Sequence, residues 1–575
     1  MKLTNSWSFI PAVNWVSRYR KKDLPADTLA GVIVAIMLVP QAMAYALLAG
    51  LPPEVGLYAS ILPLAAYAIF GSSRTLAVGP VAIVSLMVAS ALQGLDGVGE
   101  AAYPAMALLL ALMSGVMLVA MGVLRLGFLM NFLSHPVISG FTSAAALVIG
   151  LSQVRHLIGV SVPRSPSVME TIQTLLDALD QVNLVAAALG LGTVAFLLVW
   201  RKFMTRLAAQ NGSSNGVLDA LSKAGPLVAV IGTTLIVAGM ELNQTANIKV
   251  VGAIPAGLPG LTVPEFTVLP WQDLVFAAFL ISFVGFLESV SVAKALASKR
   301  RQKVDPNQEL IGLGAANVAA AFTGGYPVTG GFSRSVVNYT AGALTPLASI
   351  VTAVLIVLTV VFLTPLFYYL PKATLAAVIV VAVATLVDFG TAREAWRYNK
   401  ADALSLAGTF LAVLSLGIEE GILAGAAISI GLYLWRTSRP HMAIVGRVGE
   451  TEHFRNILRH KVHTCPHVQA VRVDESLYFA NTTFLEDQML HLIADEPEVK
   501  HIVLICSAVN FIDASALESL ERLTSQLRDA GVILHLAEVK GPVMDKLEGT
   551  QFLADLKPGN IYLSTHEAMT DLDCV

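Results

Sequence analysis

The sequence predicts a polytopic all-α membrane domain of about 14 spans, built as a 7+7 inverted repeat with two half-helices and followed by a cytosolic α/β domain. Three observations predict it. The 575 residues are 55% hydrophobic and only 13% charged, against roughly 25% charged in a typical soluble domain. That composition excludes an ordinary cytosolic enzyme and a disordered scaffold, and a net charge of -3 leaves no basic field to hold a nucleic acid. The average also hides a division. Residues 1–436 hold 25 basic and 20 acidic residues; residues 437–575 hold 12 and 20, with nine of the eleven His and all three Cys. The third observation is a pair of short, Gly/Pro-broken apolar segments at matching places in the two halves of the first part.

Residues 1–26 form an N-terminal cytoplasmic or interfacial segment. Arg18, Arg20, Lys21 and Lys22 stand just before the first apolar run, which places the N-terminus inside. Trp7, Phe9, Trp15 and Arg18 suggest an interfacial helix. The first run is long and lacks a small-residue cleavage site, so no signal peptide is expected.

The transmembrane domain is read over 27–436. A bilayer core needs about 20 apolar residues per helix. Hydropathy, interrupted by Gly, Pro and charge, gives segments at 27–49, 55–71, 79–93, 101–122, 133–151, 183–200, 224–240, 273–297, 309–322, 332–343, 346–369, 373–387, 402–417 and 419–436. Linkers after even-numbered segments carry most of the Lys and Arg, including Lys299, Arg300, Arg301 and Lys303, which sets them and the tail in the cytoplasm of a cell (inner) membrane protein.

The third and tenth segments are short and open with Gly and Pro: Gly79-Pro80-Val81-Ala82 and Gly324-Gly325-Tyr326-Pro327-Val-Thr329-Gly330-Gly331-Phe332-Ser333-Arg334-Ser335. Gly79 and Gly331 lie 252 residues apart, close to the offset of about 246 between the first and eighth segments. Seven spans is an odd number, so the second group enters from the opposite side. Paired broken helices in matching halves point to a transporter site. A helix beginning at mid-membrane leaves its first N–H groups unpaired and carries about +0.5 charge there. Two such ends facing each other attract an anion.

Two intramembrane charges sit beside these breaks, Glu288 and Arg334. They either pair and lock two helices or line a polar pathway. Two helix ends and Arg334 supply about +2, which a dianion such as sulfate balances. An ionised Glu288 at ~6 Å would repel that dianion by about 5–6 kcal/mol at an effective dielectric of ~20. Anion binding therefore favours a proton on Glu288. Gln41 and Tyr45, one turn apart on the first span, share a face and can donate to an oxyanion or act as helix–helix glue.

The soluble domain is read over 437–575. Val468–Val473, Leu477–Phe479, Val499–Ile505, Val532–Leu536 and Ile561–Leu563 read as strands, and Ala514–Asp529 as an amphipathic helix. Asn481 is expected to cap the start of a helix that runs to about Ile493. Three scattered Cys give no disulfide framework and suit a reducing compartment. His460, His463, Cys465 and His467 resemble metal-ligand spacing, but Pro466 interrupts them, and no metal is expected. Ser515, after Asp513 at a helix start, reads as a regulatory phosphate acceptor or as part of a simple cap. No Walker, GxSxG or HExxH motif is present, so no enzyme activity and no cofactor are expected.

These residues together resemble the sulfate permease (SulP) anion-transporter family. The likeness is most specific over Met37-Leu-Val-Pro40-Gln41-Ala-Met-Ala-Tyr45, Leu51-Pro52-Pro53-Glu54-Val-Gly56-Leu57-Tyr58 and Leu76-Ala-Val-Gly79-Pro80. The tail resembles a STAS domain, with Asp513-Ala-Ser515-Ala matching its loop. The resemblance implies core and gate domains, a homodimer and an elevator-like motion. It places the anion on Gln41, Tyr45, Val81, Ala82, Phe332, Ser333 and Arg334, with Glu288 as the proton-coupling residue. Val292 and Phe332 depart from the sodium-coupled members. The expected activity is proton-coupled sulfate uptake; bicarbonate or dicarboxylate transport, anion exchange, or an anion sensor signalling to a cytosolic protein partner through the STAS domain are the alternatives.

Overall fold

In the computed structural model, residues 10–93, 95, 99–132, 134–162, 167–210, 224–264 and 271–574 are described. The chain separates into two compact units, Met1–Ser429 and Ile430–Val575.

In the first unit a short helix α1 (Pro11–Ser17) is tied down by Trp15, whose indole N–H donates to Ala68 O at 3.0 Å. Trp7 and Phe9 lie outside the described residues. The rest is helical: α2 (Leu24–Leu48), α3 (Pro53–Tyr58), α4 (Leu62–Phe70), α5 (Ala82–Gln93), α6 (Tyr103–Val123), α7 (His135–Leu157), α8 (Val168–Asp177), α9 (Leu184–Gln210), α10 (Gly225–Gly239), α11 (Trp271–Lys299), α12 (Pro306–Phe322), α13 (Phe332–Thr340), α14 (Leu347–Leu358), α15 (Lys372–Ala384), α16 (Phe389–Tyr398), α17 (Lys400–Leu416) and α18 (Ile418–Thr437). Helices fall on every apolar segment read from the sequence. Among the described residues, nine are long and apolar enough to cross a bilayer, while α5 and α10 are apolar but shorter.

Membrane helices gain little from burying apolar area against each other, so close packing holds them. α6 and α12 show this. A Cβ at Gly115 would lie 2.7 Å from Val318 N, and one at Gly314 would lie 2.8 Å from Gly115 O. Only glycine lets these two backbones touch.

Two carboxylates that sequence reading passed over pin the unit from inside. Glu309, fully buried, accepts from Tyr67 Oη (2.6 Å), Ser72 N (2.8 Å), Ser72 Oγ (2.7 Å) and Ser73 N (2.9 Å). Asp27, also fully buried, accepts from Leu344 N (2.7 Å), Thr345 N (3.0 Å) and Thr345 Oγ1 (2.6 Å). Each is solvated by protein donors instead of water, which is how a buried charge is tolerated.

In the first unit two short strands, β1 (Val78–Gly79) and β2 (Thr329–Gly330), precede α5 and α13. The second unit is a six-stranded sheet: β3 (Met442–Arg447), β4 (Phe454–Asn456), β5 (Val468–Val473), β6 (His501–Ile505), β7 (Ile533–Ala537) and β8 (Ile561–Tyr562), in the order β4-β3-β5-β6-β7-β8. Strands β5 to β8 run parallel, with β3 antiparallel to β4 and β5. Helices α19 (Thr482–Asp495), α20 (Ala514–Asp529) and α21 (Gly541–Leu547) cover the face holding Ile502, Leu504, Leu534 and Leu536. Helix α22 (Thr565–Asp571) packs Ala568 and Met569 on the other face against Val503, Ile505 and Ala537. The alternation along β6 is the period of two a strand imposes.

Three expectations are corrected here. Leu477–Phe479 is no strand; Leu477 makes a single bridge to Ile512. Asn481 does not cap α19: its Oδ1 accepts from Tyr478 N at 3.0 Å and its Nδ2 donates to Ser476 O at 2.8 Å, so it closes the preceding turn. Cys465 and Cys574 form a disulfide, with Cα atoms 5.7 Å apart across 109 residues of sequence. The fold-back of α22 over the sheet brings the chain end to Cys465, a proximity that spacing does not reveal. Cys506 is a free, buried thiol that burial pushes up to about 12.

One pH response follows from β7. His535 Nδ1 accepts from Asn560 N at 3.1 Å, and its Nε2 lies 3.1 Å from His501 Nδ1. Burial, then the neighbouring His501, holds its pKa down from 6.5 to about 4. Between these values the unfolded chain binds the proton and the folded one does not. Stability is therefore full above 6.5 and drains as pH falls toward 4. Amide protection factors along β7, corrected for the intrinsic exchange rate, are expected to fall from pH 7 to pH 5, and His535→Gln to flatten that dependence. Equal pH dependence in both proteins would contradict it.

Candidate functional site

The two segments preceding α5 and α13 leave the helical path as β1 (Val78–Gly79) and β2 (Thr329–Gly330) and pair antiparallel, Val78 with Gly330 and Gly79 with Thr329. Gly331 N adds a bond to Ala77 O at 3.1 Å. Both strands are buried. Backbone that is not helical at this depth needs partners from protein. They come from side chains. Asn317 brackets Val328, donating to its O and accepting from its N, both at 2.9 Å. Ser289 Oγ accepts from Gly330 N at 2.8 Å, and Ser335 Oγ from Ala77 N at 2.9 Å.

From this ribbon α5 and α13 depart. The first helical bonds are Ser85 N to Val81 O and Ser335 N to Gly331 O, both 3.0 Å. The N–H groups of Val81, Ala82 and Ile83, and of Phe332, Ser333 and Arg334, thus precede any intrahelical partner. Gly331 provides no side-chain cap.

Arg334 lies across both breaks. It is 2% exposed, and its Nη1 donates to Pro80 O at 2.6 Å. A Cβ at Gly331 would fall 2.9 Å from Nη2, and one at Gly79, whose φ of +151° already suits glycine, 3.3 Å from it. The two glycines make room for the guanidinium. Among the described residues nothing meets Arg334 Nε or Nη2, nor Glu288 Oε2. Glu288 and Arg334 are therefore not joined as a locking ion pair; both are left with capacity for something else.

These groups converge on one cavity of ≈ 50 Å³, lined by Gln41, Tyr45, Val81, Ala82, Glu288, Phe332, Ser333 and Arg334. All eight membrane residues singled out in the sequence thus stand together. Gln41 and Tyr45 are buried, while Phe332 and Ser333 are exposed at its rim. Sequence reading missed the opposite wall, Ala382, Val383, Thr385 and Leu386 at the end of α15. That apolar stretch carries no break or charge to mark it. A water needs about 10–15 Å³ and a drug-sized ligand 300–1,000 Å³, so the space suits a small inorganic ion.

Asp513 and Ser515 belong to the second unit. Asp513 is the N-cap of α20, accepting from Ala516 N at 2.8 Å, and its Oδ2 accepts from Phe479 N at 2.9 Å. Ser515 is exposed on the first turn.

Two half-helices meeting head to head around a buried cation define a transporter with discontinuous helices. The chain belongs to the sulfate permease family, whose model matches residues 24–409, and residues 461–568 match the STAS domain. It is 38% identical over 548 residues to the chloroplastic sulfate transporter 4.1 of Arabidopsis thaliana, covering 92% of this chain and 77% of that one. It is 33% identical over 566 residues to a probable sulfate transporter of Mycobacterium tuberculosis, covering 98% of each. Among solved structures it is similar to the murine Solute Carrier 26 family member A9 anion transporter in the inward-facing state, with a TM-score of 0.89 at 25% identity over 100% of this chain and 96% of that one. The transmembrane domain of a cyanobacterial bicarbonate transporter, BicA, shares the fold at a TM-score of 0.60 and 24% identity, over 72% of this chain and 99% of that one. Proteins of this family are transporters and not enzymes.

Proposed function

We propose that this protein takes up an inorganic oxyanion, sulfate, coupled to protons, by an elevator-like alternating access of a core carrying the site against a gate. The observation that carries this reading is the buried Arg334, with Nε and Nη2 unpartnered among the described residues, beside the starts of α5 and α13, the latter without a side-chain cap. Donors without acceptors in a buried cavity call for an anion that brings its own lone pairs. The small cavity favours an inorganic anion over a dicarboxylate. The curated relatives named above are sulfate transporters, which favours sulfate over bicarbonate. The protein works as a homodimer in the cell membrane with both termini in the cytoplasm, the transport domain running to Arg436, and the STAS domain meets a cytosolic partner around Asp513 and Ser515.

The test is radiolabelled sulfate uptake in proteoliposomes under imposed proton and sodium gradients, with competing oxyanions. Uptake driven by protons is the expected result; strong bicarbonate flux without sulfate uptake would overturn the substrate. Glu288 is the coupling group in this reading. Glu288→Gln, which cannot ionise, is expected to make sulfate flux insensitive to the proton gradient. An unchanged driving force in that variant would exclude the role.

A further inference from the structure

The membrane unit holds a second, larger cavity of ≈ 340 Å³. It continues the first along the same two helices. On α2 the small cavity is lined by Gln41 and Tyr45 and the large one by Leu48; on α5 the small one is lined by Ala82 and Ile83 and the large one by Leu86, Ser90 and Gln93. Steps of three and four residues keep one helix face, so each wall carries on for the next turn, about 5.4 Å farther. The remaining walls come from α7, α8, α17 and the start of α18.

The large cavity sits at one end of the unit. It is bounded by the last turns of α2, α5, α7 and α17 and by Gly417, Ile418 and Glu420, where α18 begins. At the other end Ser429 Oγ, near the exit of α18, donates to Ser134 Oγ before α7 at 3.4 Å. The large cavity therefore opens toward the membrane face opposite the one by which α18 leaves. Its lining is mixed: Ser90, Gln93, Ser152, Gln153 and Arg155 are polar, Arg155 donating Nη1 to Val162 O at 3.0 Å, while Glu420 adds one opposing charge.

Where the large cavity lies nearest the small one, its own lining is hydrocarbon: Leu48, Leu86, Val148 and Val413. Leu48 is 5% exposed, and Leu86 packs into the same apolar cluster, which also takes in Tyr45, Ala82, Val148 and Val413. Leu48 and Leu86 come from helices that bear the small cavity, Val148 and Val413 from helices that do not. An ion cannot shed its water into a layer that offers no donor, and a hydrophobic constriction of this kind closes by excluding water.

We propose that the large cavity is the antechamber of the anion path on the face opposite the α18 exit, and that Leu48 and Leu86, closed against Val148 and Val413, form the barrier between it and the anion site. The inference rests on the transport reading. It assigns the two leucines the task of preventing an uncoupled leak and makes the large cavity a water-filled stop for the same class of ion, an inorganic oxyanion.

The experiment uses the full chain in proteoliposomes. Leu86→Ser, and separately the milder double change Leu48→Ala with Leu86→Ala, are expected to raise sulfate efflux down its gradient on the order of tenfold without any proton gradient, and to abolish accumulation. A second readout does not depend on transport. In protein whose tail cysteines are replaced by Ser, a membrane-impermeant thiol reagent applied to the antechamber face is expected to label a Gln93→Cys variant in every background. It should label an Ala82→Cys variant only when the leucines are shortened. Absence of labelling at position 93 from that face, or equal labelling at position 82 with and without the leucines, overturns the proposal. So does wild-type accumulation with no leak in either leucine variant. The expected labelling pattern together with no anion accumulation by the protein with its leucines intact supports the barrier and overturns the transport reading instead.

Discussion

Arg334→Ala is expected to reduce sulfate affinity by at least about 100-fold and to remove saturable uptake. Its Nε and Nη2 are buried with no partner among the described residues, while Nη1 holds Pro80 O. A hydrogen bond involving a charged group contributes about 1.5–3 kcal/mol, and two of them correspond to roughly 10²–10⁴ in a binding constant. Arg334→Lys keeps the charge but loses the planar fork, so it should recover only part of the loss. Gly331→Ala should act through the same group, since its Cβ would lie 2.9 Å from Nη2 and displace the guanidinium. Equilibrium binding of labelled sulfate to purified protein reads all three. Binding within threefold of wild type by Arg334→Ala would remove the site from this cavity.

Glu309→Ala should have the largest effect on stability. Its fully buried carboxylate is the acceptor for four donor atoms, the buried Tyr67 Oη and Ser73 N and the half-buried N and Oγ of Ser72. Each buried donor left unmet costs about 1–3 kcal/mol, so the two buried ones alone cost about 2–6 kcal/mol, a large share of the stability of an ordinary domain, about 5–15 kcal/mol. The purified variant is expected to melt on the order of 10 °C lower or to fail to accumulate. Glu309→Gln should fall between, because its amide turns an N–H toward donors. Thermal unfolding in detergent decides it; a melting point within a degree or two of wild type would show that the cluster is not a structural pin.

The sequence made the centre of the molecule readable because its chemistry is conspicuous. Gly79, Pro80 and Gly331 interrupt apolar runs, and a helix cannot ignore them. Arg334 and Glu288 stand out in a membrane segment for the same reason. The α15 wall did not show, since Ala382, Val383 and Leu386 look like any lipid-facing stretch. Asp27 and Glu309 escaped because their partners lie at Thr345 and Tyr67, 318 and 242 residues away, and only folding brings them within reach. The same distance effect concealed the bridge from Cys465 to Cys574, while β3 and β4 at the edge of the sheet were missed outright.

The ribbon joining Val78 and Gly79 to Thr329 and Gly330 has a thermodynamic meaning of its own. It rivets the two half-helices, one from each repeat, into a single rigid cradle, further clamped by Arg334 on Pro80 O. In the elevator-like motion proposed above, such a cradle would move whole, without being dismantled and rebuilt at each face. The ion should then meet the same microscopic dissociation constant on either side of the bilayer, and any difference between uptake and release would have to originate in voltage, pH or the equilibrium between orientations.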